Sequence, residues 1–224
     1  MPTRRSSDNW LWIAVALSLA ISLTRFGPLV LYPFKLFTTW VHECGHAVMT
    51  LIVGGSVASI AIEPNTAGLT TSFIPQGRIA QGLVASAGYL AASIVGCVLM
   101  IVTRGKKDAH AILWIIGVFM LVTLVIWMRN PFGILVVLLW SVALVALSRH
   151  EKGPVSSFVL SLLAVQVALD SVYDIRVLFL AHSGRSDADT MARLFVLPAW
   201  FWASIWMLVS IGLLTWTFVR TRLK

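Results

Sequence analysis

Charge is scarce in this sequence. Seventeen basic and nine acidic residues leave only 12% of its 224 positions charged, and 58% are hydrophobic. A soluble domain keeps about a quarter of its residues charged, so the shortage excludes an ordinary soluble globular protein and indicates a membrane protein. Cysteine is scarcer still. Cys44 and Cys97 both fall in apolar runs, where a small buried side chain is a simpler reading than a metal ligand or a disulfide partner. Also missing is a clustered basic face. Despite a formal charge of +8, Lys and Arg sit in short loops and at the ends of apolar runs, as membrane anchors do, so no nucleic-acid partner is expected.

The length accommodates about seven spans of about 20 residues with short loops and leaves no room for a separate soluble domain. Residues 1–224 are therefore read as a single integral membrane domain. The expected fold is all-α and polytopic, with about seven transmembrane helices in a bilayer, most simply the plasma (cell) membrane. Spans are predicted over 10–24, 33–53, 79–102, 111–128, 133–147, 154–180 and 197–219. Arg4 and Arg5 before the first run resemble a signal peptide, with Ser18-Leu19-Ala20 as a conceivable cleavage site. The apolar run continues past that point, so a retained first helix is expected. With the N-terminus outside, Arg25, Lys35, Arg104, Lys106, Lys107, Arg149, Lys152, Arg220, Arg222 and Lys224 collect on one side, which the positive-inside rule makes cytoplasmic.

Against this apolar background, His42-Glu43-Cys44-Gly45-His46 stands out. It is an H-E-x-x-H pattern. On a helix the two histidines fall on one side and can share a Zn²⁺, while Glu43 is placed to take a proton from water. Chance assembly of the pattern in a chain of this composition comes out at roughly one in a few hundred to a thousand. Two satisfied core histidines are the competing explanation, but three ionisable groups in five residues are expensive in lipid without a function.

Gly54 and Gly55 end the motif helix. Beyond them, Val57 to Ile62 and Leu69 to Ile74, separated by the turn-prone Glu63-Pro64-Asn65-Thr66-Ala67-Gly68, predict a short β-hairpin whose unpaired edge can hold an extended peptide. On the third span, Gly88, Ala92 and Gly96 are four apart, a small-residue stripe read as a packing surface against the motif helix.

A catalytic zinc site needs a third protein ligand. Asp170 and Asp174, four apart in the sixth apolar run, are the candidates, since a carboxylate in such a run is a functional-site hypothesis by default. If His46 is counted from Pro33 and Asp170 from Pro154, the two lie at roughly 20 and 24 Å depth, with Asp174 about 6 Å further. Depth favours Asp170, leaving Asp174 as an alternate ligand or a group that orients a histidine.

The motif in a membrane helix, the Gly-Gly end, the hairpin and an apolar-flanked late aspartate resemble the site-2 protease group of intramembrane zinc metalloproteases, in its small branch without a PDZ domain. The resemblance extends to Gly88-Tyr89 and to Ser186-Asp187-Ala188, and covers most of the chain from Trp40 to Pro198. Asn130-Pro131 is similar to an Asn-Pro element of that group. The later aspartate stands in Leu169-Asp170-Ser171, where the better-studied members carry Leu-Asp-Gly. The resemblance implies one Zn²⁺ held by His42, His46 and a later aspartate, Glu43 as general base, and membrane-spanning proteins as substrates. Two other classes are consistent with ionisable groups in spans. A catalytically silent adaptor would bind transmembrane helices without cutting them. A metal transporter would need polar residues on more spans than carry them here.

Overall fold

The structure, a computed structural model, describes residues 6–104, 109–150, 153–180 and 186–222. Of the cations counted for orientation, Lys106, Lys107, Lys152 and Lys224 lie outside these, as do Arg4 and Arg5. The described chain folds as α1 (Ser6–Ser22), α2 (Gly27–Ile52), β1 (Ser56–Ile62), β2 (Gly68–Phe73), α3 (Arg78–Arg104), α4 (Ala109–Ile126), α5 (Pro131–His150), α6 (Pro154–Leu180), α7 (Asp187–Leu194) and α8 (Ala199–Arg222).

Among the described residues, five helices are long and apolar enough to cross a membrane: α3, α4, α5, α6 and α8. The protein is thus a multi-pass membrane protein. Five of the seven expected spans meet that measure, and the other two fall short of it for local reasons. In α1 the apolar stretch is short, Trp10–Ser22. With 26 residues α2 has the length, but Lys35, His42, Glu43 and His46 make it too polar to face lipid. Its middle is enclosed by the protein, with Phe37, Trp40, Val41, Cys44 and Ala47 buried in the main core. Its start lies at Gly27, six residues before Pro33, which is carried inside the helix.

Small residues let α2 and α3 approach closely. A Cβ at Gly45 would stand 2.6 Å from the Cβ of Ala91 and 2.7 Å from the carbonyl oxygen of Ala87. His46 meets Val84 and His42 meets Gly88, so the two helices run antiparallel. The predicted stripe on α3 divides its work: Gly88 faces the motif histidines, whereas Gly96 packs on the backbone of Ala168 in α6. The small side faces thus bring two different neighbours against α3.

The predicted hairpin is present as an antiparallel pair from Ser56↔Phe73 to Ile62↔Gly68, with an irregularity between Val57 and Ser59. It lies along α2. Its tip is tied there by Tyr32, whose hydroxyl donates to the carbonyl of Pro64 at 2.6 Å, and by Thr39, whose hydroxyl donates to that of Thr66 at 2.9 Å. The outer edge of β1 is closed by the α4–α5 turn: Ile60 N–H donates to Trp127 O at 2.7 Å, and Arg129 N–H to Ile60 O at 3.2 Å. The outer edge of β2 has no backbone partner among the described residues. Non-helical backbone is tolerated inside a membrane protein where it lines a polar cavity, and β2 lines one.

Candidate metal centre

His42 and His46 are one helical turn apart on α2, so their rings come together on one side. Their Nε2 atoms are 3.0 Å apart. Asp187 completes the group from the first position of α7, its Oδ2 3.3 Å from each of those nitrogens. Three donors around a zinc ion with bonds of about 2.0–2.1 Å, at corners of a tetrahedron, stand about 3.3 Å from one another. Two imidazoles and a carboxylate at these separations fit a divalent zinc ion in both chemistry and size.

The protonation states fit as well. His46 Nδ1 lies 2.7 Å from the carbonyl oxygen of Val84. A carbonyl only accepts, so Nδ1 carries the hydrogen and Nε2 is the atom turned into the cluster, its lone pair open to a metal whenever the ring is neutral. Burial alone would raise the Asp187 carboxyl, but His46 and His42 beside it, with hydrogen bonds to both, hold it well below the usual carboxylate range. It is an anion at neutral pH. A cap places it: Ser186 accepts from the N–H of Asp189 while the Asp189 carboxylate accepts from the N–H of Ser186, a reciprocal start for α7. On its inner side α7 buries Ala188 and Met191 with Ala85 and Tyr89 of α3 and Ala203 and Trp206 of α8.

Glu43, between the histidines, is buried. Its Oε2 accepts from the Thr70 hydroxyl of β2 at 2.6 Å. Backbone comes unusually close on both sides of the motif. A Cβ on Gly68 would lie 2.3 Å from Glu43 Oε1, and one on Gly88 would lie 2.4 Å from His42 Nε2 and 2.5 Å from His46 Nε2. These two glycines leave the room in which the carboxylate and imidazoles sit. The cluster opens into a cleft of about 880 Å³ whose walls include Lys35, Thr39, Gly68, Thr70 and Tyr89.

The structure brings His42, Glu43 and His46 together, as the motif requires, but puts Asp170 and Asp174 elsewhere. Asp170 accepts from the Thr38 hydroxyl at 3.1 Å, and Asp174 pairs with the Lys35 ammonium. Thr38 and Lys35 precede His42 by one and two turns of α2, about 6 and 10 Å. The depth estimate counted α2 from Pro33 and considered only carboxylates inside long apolar runs. It therefore passed over Asp187, which a short helix in a polar stretch carries in. The signal for it was Ser186-Asp187-Ala188 with Asp189 three residues after Ser186, a helix-start pattern. Lys35, counted as a surface cation for orientation, is an interior partner.

The Peptidase M50B-like family model matches residues 12–217. The chain belongs to this family, that of the site-2 proteases. The match spans α2, the hairpin and α7, so the family assignment covers all four residues of the cluster. No curated protein and no solved structure gives a significant match to the chain.

Proposed function

We propose that this site-2 protease family member is a zinc-dependent intramembrane endopeptidase, hydrolysing peptide bonds in or near the transmembrane segment of membrane-protein substrates. One observation carries the reading: His42, His46 and Asp187 meet at 3.0–3.3 Å beside the buried carboxylate of Glu43. In this reading Asp187 replaces Asp170 and Asp174 as third ligand.

Zinc held by His42, His46 and Asp187 would supply Lewis acidity to the scissile carbonyl and to water. The protein does the rest. Glu43 accepts a proton from the attacking water and returns it to the amine nitrogen as the C–N bond breaks. Thr70 holds the Glu43 carboxylate toward β2. A substrate helix hides its carbonyls in its own hydrogen bonds and must unwind to be cut. The free edge of β2 gives the unwound segment backbone partners, and the polar cleft admits water.

The test is to purify the full chain from membranes, measure bound zinc, and assay a panel of single-span proteins against wild type and Glu43→Gln. One zinc per chain is expected, with cleavage lost roughly 10²–10⁴-fold in Glu43→Gln while zinc is retained. Stoichiometric zinc without cleavage would favour the silent adaptor, and absence of zinc would overturn the metal site itself.

A further inference from the structure

Tyr89 has no place in the chemistry above, yet the fold fixes its ring with care. It follows Gly88 on α3, and its ring stands edge-on to His42, centroids 4.6 Å apart at 84°. Trp206 of α8 stacks on it at 5.1 Å and 18°. The ring is thus clamped between a candidate metal ligand and a buried indole, and only 9% of the residue is exposed. Its hydroxyl makes no hydrogen bond to another protein group among the described residues. Tyr89 lines the cleft, and Asp187, Asp174 and Glu43 are all close enough to act electrostatically on the phenol. A buried tyrosine normally finds a partner for its hydroxyl. Here the residue is buried but lines the cleft, so its O–H is a donor that a group bound in the cleft can meet.

Among the groups at the centre, the carboxylates can only accept, and the ring nitrogens facing the cluster offer lone pairs. A developing oxyanion needs a donor that is already in place, and a phenol held rigid by its neighbours costs no reorganisation at the moment of reaction. Resting on the peptidase reading, we propose that Tyr89 is a catalytic residue that hydrogen-bonds the oxygen of the scissile carbonyl. As water adds to the carbonyl carbon, the π pair moves onto that oxygen and Glu43 takes the water proton. As the C–N bond breaks, the pair returns to re-form the carbonyl and the proton leaves with the amine. Tyr89 keeps its own proton throughout.

Tyr89→Phe removes the hydroxyl and keeps the ring between His42 and Trp206. For a substrate that the wild type cleaves, kcat is expected to fall roughly 10²-fold with KM within about twofold. Zinc content should be unchanged. A phosphinate peptide, which mimics the tetrahedral carbon, should lose affinity for the variant in parallel with kcat. A peptide of the same sequence with an ordinary amide, measured on the Glu43→Gln background, should bind both forms alike. Unchanged kcat and phosphinate affinity would overturn the proposal. So would loss of zinc from Tyr89→Phe, which would make the phenol a support for Asp187. Failure of the peptidase reading differs from either: wild type would cleave nothing, and the phosphinate would bind wild type and Tyr89→Phe equally.

Discussion

The α-carbon of Gly88 faces the imidazole of His42 so closely that a methyl group there would stand 2.4 Å from Nε2. The same methyl would be 2.5 Å from Nε2 of His46. It would occupy the space where the two lone pairs converge. Moving α3 away would open the close α2–α3 seam, where there is no room for a Cβ at Gly45 beside Ala87 and Ala91. Gly88→Ala is therefore expected to abolish stoichiometric zinc binding in a protein that still inserts in the membrane. Gly212→Ala on α8, where nothing lies within 4 Å of the new carbon, should leave zinc unchanged. Metal analysis of the two purified variants checks both.

The three aspartates separate by role. Asp187→Asn removes an anionic donor from the cluster. It should weaken zinc binding beyond the 10- to 100-fold typical of losing a group that merely orients a ligand. Asp170→Asn and Asp174→Asn should hold zinc as wild type does, since their carboxylates are engaged by Thr38 and Lys35. Competition with a chromogenic chelator ranks the three. Zinc lost from Asp174→Asn and retained by Asp187→Asn would return the third ligand to α6.

Lys35 and Asp174 make a different prediction, about stability. Removing one member strands the other charge between helices; the full penalty for a buried pair is about 3–5 kcal/mol. The side chains keep 27% and 32% exposure to the cleft, and water there screens the charge left behind, so about 1–3 kcal/mol is expected from either Lys35→Met or Asp174→Leu. The double variant should be more stable than either single, because it leaves no unpaired charge. Detergent unfolding midpoints for the four proteins form the cycle, and strict additivity would show that the two do not interact.

How much of this was legible in the residues follows from the range of the interactions. His42, Glu43 and His46 share one turn of one helix, so their chemistry is set by helical spacing and needs no knowledge of the fold. The hairpin is equally local, announced by Gly54-Gly55 and by the turn from Glu63 to Gly68. Asp187 is not local. Its position depends on α7 packing Ala188 and Met191 against α3 and α8, which no periodicity in residues 187–194 reveals. Asp170 and Asp174 stand out because an ionisable group in an apolar run is read as functional by default, and the contacts they make with Thr38 and Lys35 lie on a helix whose sequence reads as a simple span. Asn130 is legible in the sequence only as half of an Asn-Pro pair, because its partner is 68 positions away in the hairpin.

That partnership makes the last prediction. Asn130 donates from Nδ2 to the carbonyl of Ile62 at 2.6 Å and accepts the N–H of Ile62 at 3.1 Å. Its amide thus imitates one residue of an added strand, closing the edge of β1 where the α4–α5 turn stops pairing. Ile62 is fully buried, so Asn130→Leu leaves a donor and an acceptor unmet at about 1–3 kcal/mol each. Asn130→Asp does little better, because a carboxylate cannot donate to the Ile62 carbonyl. Ile62 pairs with Gly68, and Gly68 and Thr70 are the β2 residues against Glu43. A frayed β1 edge therefore loosens the strand that holds Glu43, while the His42, His46 and Asp187 cluster on α2 and α7 is untouched. Both variants should retain zinc, exchange the amide hydrogens of residues 56–73 faster than wild type, and cleave more slowly. Zinc loss in step with activity would instead tie Asn130 to the metal cluster and contradict its assignment to the hairpin.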